Sequence, residues 1–217
     1  MGGNLIMLDI LITAFKETII MVFFSTIFSI IIGTIPGIAL VVTAKGGIKE
    51  NKIVFKILDA VTNVLRSLPF IILMVAIVPL TKLIVGKSYG TTAAIVPLTL
   101  AAAPFVTRII ESSLKEVDKG VIEAAKSFGA TDIQIIFKVM IKEAIPSIVS
   151  GITLAIINII GYSAMAGAIG GGGLGQMAIA YGYQRYQVDI MIATVLVLIV
   201  IVQVIQSFGN NIYKKLS

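Results

Sequence analysis

The side chains that usually carry out reactions are either missing from this chain or scattered along it. Its 217 residues contain no cysteine and no histidine, which removes thiolate nucleophiles, imidazole bases, disulfides and the usual zinc ligands together. The 11 Asp and Glu residues lie mostly beside lysines in short polar stretches, a pattern of solvated charge rather than of a paired general acid and base. The run Gly170 to Gly173, followed by Leu174 and Gly175, invites a phosphate-loop reading, but Gln176 and Met177 stand where Lys and then Ser or Thr are required. No catalytic residue and no metal site is expected, and the chain is not expected to be an enzyme. Gly172, Gly173 and Gly175 are expected to form a close-packed turn, or a mouth where backbone approaches a docked partner, because glycine permits close approach.

What remains is a polar interruption built to touch something. Glu123 to Pro146 spans 24 residues between two hydrophobic stretches. Ile133, Ile136, Phe137, Met140, Ile141 and Ala144 recur at helical spacing while Asp132, Gln134, Lys138, Lys142 and Glu143 fall elsewhere around the wheel, which predicts an amphipathic helix. Thr131 and Gln134 supply a capping box for it. Upstream, Val121, Ala124, Ala125 and Phe128 suit a shorter helix that Gly129 can close in the left-handed conformation. The segment therefore reads as a helix, a glycine corner and a second helix.

The surroundings of this insert are apolar. Hydrophobic residues make up 58% of the chain and the mean hydropathy is +1.05, far beyond a soluble domain. The expected fold is all-α and polytopic, with five spans at roughly residues 18–43, 60–81, 90–110, 147–169 and 188–209. One membrane domain, residues 1–217, is expected, carrying a coupling segment over residues 115–146. Leu5, Leu8 and Ile12 in the short head are expected along the interface. No cleavable signal peptide is expected, because the first apolar run lacks a basic start and is long enough to stay as a span. With the N-terminus outside and the C-terminus inside, twelve of the 17 Lys and Arg residues fall on the inner side and four on the outer, as the positive-inside rule requires. The net charge of +6 is then a topology signal and a contact with anionic lipid, not a nucleic-acid footprint. The patterned insert faces the cytoplasm.

Polar residues inside apolar spans mark function or interhelical bonds. Asn158, Tyr162 and Ser163, with Met165 just beyond, are the candidates for lining a solute pathway through the fourth span. Gly151 and Ala155 offer a small-residue packing surface beside them, and the lone Thr99 is expected to bond back to its own helix. Arg66 is expected to snorkel on the same face as Asp59. Pro36, Pro69, Pro79, Pro97 and Pro104 are expected to interrupt the early spans.

Glu123, Ala124, Ala125, then Gly129, Ile145 and Pro146 resemble the EAA loop of binding-protein-dependent ABC importer permeases. The segments beginning at Arg66 (RSLPFIIL), Ala94 (AIVPLT), Ala103 (APF), Gly161 (GYSAM), Gly172 (GGLGQ) and Tyr181 (YGY), in that order, are similar to the methionine-importer permease subfamily, over approximately residues 10–215. The resemblance implies a type I importer permease in the bacterial cytoplasmic (inner) membrane. It implies a homodimer of this subunit, an ABC ATPase dimer that binds ATP and Mg, and an extracytoplasmic methionine-binding lipoprotein. It further implies that Glu123 pairs with a basic group in an ATPase groove, that Ala124 and Ala125 allow close packing, and that Gly129 makes the corner before Pro146. The cargo, L- or D-methionine, rests on the resemblance alone, and a related amino acid or small solute is the alternative. An ion-coupled carrier and a membrane-embedded scaffold are the other classes the residues admit. A carrier would need a pair of carboxylates inside the spans, whereas Asp59, Glu111 and Asp189 sit at span ends.

Overall fold

The computed structural model describes residues 2–216, with side chains from Met7 onward, and every regular element among them is helical. Helix α1 (Gly2–Thr43) runs for 42 residues, roughly 63 Å at 1.5 Å per residue, about twice the thickness of a bilayer's hydrocarbon core. The expected interfacial head is thus the start of this helix and not a separate segment. Met7, Ile10 and Leu11 pack against the helical core, Leu8 and Ile12 face outward, and Leu5 lies outside the described side chains. An apolar run with no breaker before Gly33 simply keeps propagating.

The second expected span is not one rod. It divides into α2 (Lys52–Ser67), α3 (Phe70–Ala76) and α4 (Val78–Val85), with a bend of 101° between α2 and α3. Pro69 has no N–H to donate and forces Leu68 into an extended conformation, φ −76° and ψ 125°, so the helix must stop there. Asn51 starts α2 by accepting the N–H groups of Ile53 and Val54, each at 3.1 Å. The other early prolines do not act this way. Helix α1 continues through Pro36, α5 (Thr91–Lys115) continues through Pro97 and Pro104, and Pro79 sits harmlessly in the first turn of α4.

After α5 come α6 (Lys119–Ser127), a long α7 (Asp132–Ala168), the short α8 (Gly173–Met177), whose helical path continues in a wider turn to Tyr183, and α9 (Val188–Leu216). Among the described residues α1, α5, α7 and α9 are long and apolar enough to cross a membrane, and the bent α2–α3 pair raises the number to five. Their outer faces carry Phe23, Phe28, Ile31, Leu196, Val200 and Val204 exposed, which suits lipid as solvent.

The bundle is organised by a close approach of α1 to α5. A Cβ on Gly33 would come 2.6 Å from the Ala103 carbonyl oxygen, and one on Gly37 would come 2.7 Å from Ile110 Cβ. Two glycines four apart therefore form the groove into which α5 sinks, the small-residue solution that membrane helices use when lipid provides no hydrophobic drive. Thr107 Oγ1 donates to the Gly33 carbonyl at 3.1 Å across this contact. Ser25 Oγ donates to the Ile95 carbonyl at 3.4 Å. The buried Thr99 hydroxyl has no partner among the described residues. Helix α7 then packs on α5 through Gly151 against Ile109 and through buried Ala155, the surface expected from its small residues. Gly209 brings α9 against Thr153 in the same manner.

Gly33→Leu is expected to lower thermal stability in detergent by about 1 to 3 kcal/mol through overpacking. Gly161→Ala, where a Cβ meets nothing within 4 Å, should leave the melting temperature within a degree or so of the parent. Equal melting curves for the two variants would contradict the close-approach account.

Candidate functional site

The polar insert folds as a helical hook. Asp118 caps α6 by accepting the Gly120 N–H at 2.6 Å. The helix ends in a Schellman arrangement, with the Ala130 N–H bonded to the Ala125 carbonyl at 3.1 Å, the Gly129 N–H to the Lys126 carbonyl at 2.9 Å, and Gly129 at φ +77°. Thr131 and Gln134 then form the expected capping box, with Thr131 N–H to Gln134 Oε1 at 2.9 Å and Gln134 N–H to Thr131 Oγ1 at 3.4 Å. From there α7 is continuous for 37 residues, so the hook's second arm and the fourth span are one rod.

The apolar residues of that arm divide between a buried face and an exposed one. Ile133 and Phe137 are 71% and 57% exposed, while Ile135, Met140 and Ala144 are buried. The Ile141 N–H bonds to the Ile136 carbonyl, five residues back, and this widened turn advances the inward face by a residue. On the first arm Ile122 and Ala125 turn inward to the core, whereas Glu123 and Ala124 are exposed. Phe128 is 90% exposed. Three large apolar side chains, Phe128, Ile133 and Phe137, thus project from the hook around the Gly129 corner. Pro146 lies inside α7 and lines a polar cavity of about 490 Å³ with Ser112, Ser147, Ser150 and Glu116.

Further along α7, the exposed positions include Glu143, Ser150, Leu154, Asn158, Gly161 and Met165. With the half-buried Ser147, they form a single stripe at steps of three and four residues, about 33 Å from end to end at 1.5 Å per residue. The expected pathway residues divide on this basis. Asn158 and Met165 are on the open stripe. Tyr162 is half-buried and stacks on Phe70, ring centroids 4.8 Å apart. Ser163 is buried and donates its hydroxyl to the Ile160 carbonyl at 2.7 Å, so it faces the subunit's own core.

At the opposite end, the glycine run makes the turn from α7 into α8. Gly170, Gly172 and Gly173 have positive φ, and the liberated N–H groups are taken by α1: Gly173 donates to Glu17 Oε2 at 2.7 Å and Leu174 to Thr18 Oγ1 at 2.8 Å. A carboxylate of the chain thus fills the position a phosphate would need, which disposes of the phosphate-loop reading on geometry. Gly170, Gly172 and Gly173 line a cavity of about 420 Å³ with Asp9, Glu17, Tyr89 and Gln176. Gly175 does not; it is buried against the Ala164 backbone and serves packing.

Two sets of residues were not singled out from the sequence. Glu17 and Thr18 are one, hidden because their partners lie 156 residues away. The other is an ionic cluster centred on Arg108. Its guanidinium donates to Asp59 Oδ1, Asn63 Oδ1 and Glu111 Oε2, and Lys115 adds a second bond to Glu111. Asp59 therefore pairs across to α5 and not with Arg66, which is exposed. The spacing Arg108, Glu111, Lys115 at three and four residues was the available signal. Glu111 is only 4% exposed, and a buried carboxylate is tolerable only when paired. Among the described residues, no group of three or more His, Cys, Asp or Glu side chains is placed to hold a metal ion.

Arg108→Met is expected to detach α2 from α5. Hydrogen exchange across Lys52–Ser67 should accelerate, and stability should fall by roughly 1 to 3 kcal/mol for the polar partners left unsatisfied. Arg66→Met should change neither. Unaltered exchange in Arg108→Met would mean that α2 is held by something else.

Known proteins share both the sequence and this architecture. The chain is 51% identical over 95% of its length, and 92% of the relative, to the probable D-methionine transport system permease protein MetI of Vibrio cholerae serotype O1. It is 48% identical over 81% of both chains to the methionine import system permease protein MetP of Bacillus subtilis strain 168. Among solved structures, one described as inward facing conformations of the MetNI methionine ABC transporter superposes with a TM-score of 0.95, at 43% identity, over 97% of this chain and 98% of the other. Residues 37–217 match the family described as binding-protein-dependent transport system inner membrane component. The hook, the continuous rod behind it and the helical bundle thus have their counterpart in sequence, and the chain belongs to the binding-protein-dependent transport system inner membrane component family.

Proposed function

We propose that this chain is the permease subunit of an ATP-driven methionine importer. Two copies form the pathway in the bacterial cytoplasmic membrane, each with its N-terminus outside, and two copies of a separate ATPase supply the work by binding ATP with Mg on the inner side. An extracytoplasmic methionine-binding lipoprotein delivers the solute. The observation that carries this reading is mechanical: an apolar knob of exposed Phe128, Ile133 and Phe137 is joined without a break to a 37-residue helix whose open stripe includes Asn158 and Met165. Exposed aromatic and aliphatic side chains on a capped, rigid corner need a partner groove, and force applied there reaches the stripe directly. The names of the relatives support methionine as cargo.

In this mechanism Glu123 meets a basic group of the ATPase, Ala124 lets the surfaces close, and Gly129 sets the angle between the two arms. Closure of the ATPases on ATP moves the hook, α7 carries the displacement along its length, and the seam between the two copies exchanges inward for outward access. At the far end the glycine turn, tied to α1 by Glu17 and Thr18, gives the moving helix a fixed point. The ion-coupled alternative draws no support from Asp59 and Glu111, because both are engaged by Arg108 and Glu111 also by Lys115.

The test is uptake by proteoliposomes containing the permease, its ATPase and the delivery protein, supplied with labelled L- and D-methionine. Accumulation should require ATP and stop when ATP is withheld. Uptake driven by an ion gradient without ATP, or hydrolysis with no accumulation, would refute the proposal. Gly129→Leu, which forces a side chain into the left-handed conformation at a cost of about 1 to 2 kcal/mol, should insert normally yet lose most ATPase co-purification. Asn158→Leu should assemble normally and alter uptake.

A further inference from the structure

We propose that the cavity behind the hook binds the headgroup of an anionic phospholipid. It has a volume of about 450 Å³ and is bounded by the loop after α1, the end of α5, helix α6 and Met140 of α7. Lys45, Lys115, Lys119 and Lys126 converge on it from three stretches of chain, against one lining carboxylate, Glu123. Lys115 is neutralised by Glu111. The ammonium groups of Lys45, Lys119 and Lys126 stand in no ion pair or hydrogen bond among the described residues. The neighbouring acids do not answer them, since Glu50 accepts the Gly46 N–H and Asp118 the Gly120 N–H.

The walls decide what kind of anion fits. Leu114, Val117 and Met140 are buried at the base of the cavity, and Val41 and Ile48 complete an apolar side. A ring of unpaired ammonium groups over an apolar floor matches a phosphate attached to acyl chains better than a free anion. The location agrees, because the cavity opens where α1 and α5 end, at Thr43 and Lys115, the depth at which basic side chains meet anionic headgroups. A bound headgroup would bridge the loop after α1 to α6, the arm that carries Glu123. Only the assignment to the inner leaflet rests on the orientation proposed above.

Native mass spectrometry of the full chain purified in detergent, titrated with phosphatidylglycerol or phosphatidylcholine, reads this directly. The parent should retain phosphatidylglycerol in preference, and K45Q/K119Q/K126Q should retain on the order of a hundredfold less, about fivefold for each lysine removed from an anionic surface. K214Q/K215Q, at positions that do not line this cavity, should retain as much as the parent. If the triple variant is not monodisperse, K119Q alone should still give a partial loss. The proposal fails if the two lipids are retained equally, if the lysine variants retain lipid like the parent, or if inorganic phosphate displaces the lipid, which would make this a free-anion site. It also fails if added ATPase expels the lipid, since an acidic protein segment would then be the occupant. The measurement uses neither solute nor ATP, so its failure leaves the import mechanism intact, and failure of import leaves the lipid site intact.

Discussion

The contact on which the rest is hung is the seating of α5 in the groove of Gly33 and Gly37. Two membrane helices gain little by hiding apolar surface from one another, because lipid is as apolar as leucine; they associate through close van der Waals contact and the few hydrogen bonds that proximity allows. Removing two Cβ atoms four residues apart provides that proximity, and Thr107 uses it to reach the Gly33 carbonyl. Once α1 and α5 are locked, their two ends become fixed platforms. One end receives the glycine turn through Glu17 and Thr18, and the other receives α6 and the loop after α1.

The division between rigid and yielding parts follows from backbone chemistry. Pro69 creates a right-angled break because no hydrogen bond can cross it in a helix that already presents one polar face. Pro97 and Pro104 create none, because α5 is packed on several sides and its freed carbonyls remain within protein. The same logic separates the glycines: Gly129 and Gly172 are required for conformation, whereas Gly33, Gly151 and Gly175 are required for lack of volume. The proposed mechanism uses both kinds, since force would pass along an unbroken helix and turn corners at defined points.

Charge is used sparingly. The Arg108 cluster satisfies a buried carboxylate with two cations and anchors α2, and the clasp by Glu17 satisfies backbone donors that no helix could. Neither leaves a titratable group free within the spans, in keeping with motion driven from outside the bilayer. Lys45, Lys119 and Lys126 gather behind the hook, each with its ammonium group outside any ion pair among the described residues.

Much of this was legible in the order of residues. Hydropathy and the lysine distribution set the spans and their expected orientation, and the Gly129 corner with its Thr131 and Gln134 box was readable because capping and left-handed turns are local, settled within six residues. The EAA spacing carried the family for the same reason. Tertiary structure alone decided which apolar residues stay open. Ile133 and Phe137 stay exposed while Met140 and Ala144 turn inward, a division that the single apolar stripe of the helical wheel does not contain. It also decided that Ser163 faces the core while Asn158 and Met165 face out, and that Asp59 meets Arg108. The Asp59–Arg108 pair joins residues 49 apart, and linear spacing contains no term for it.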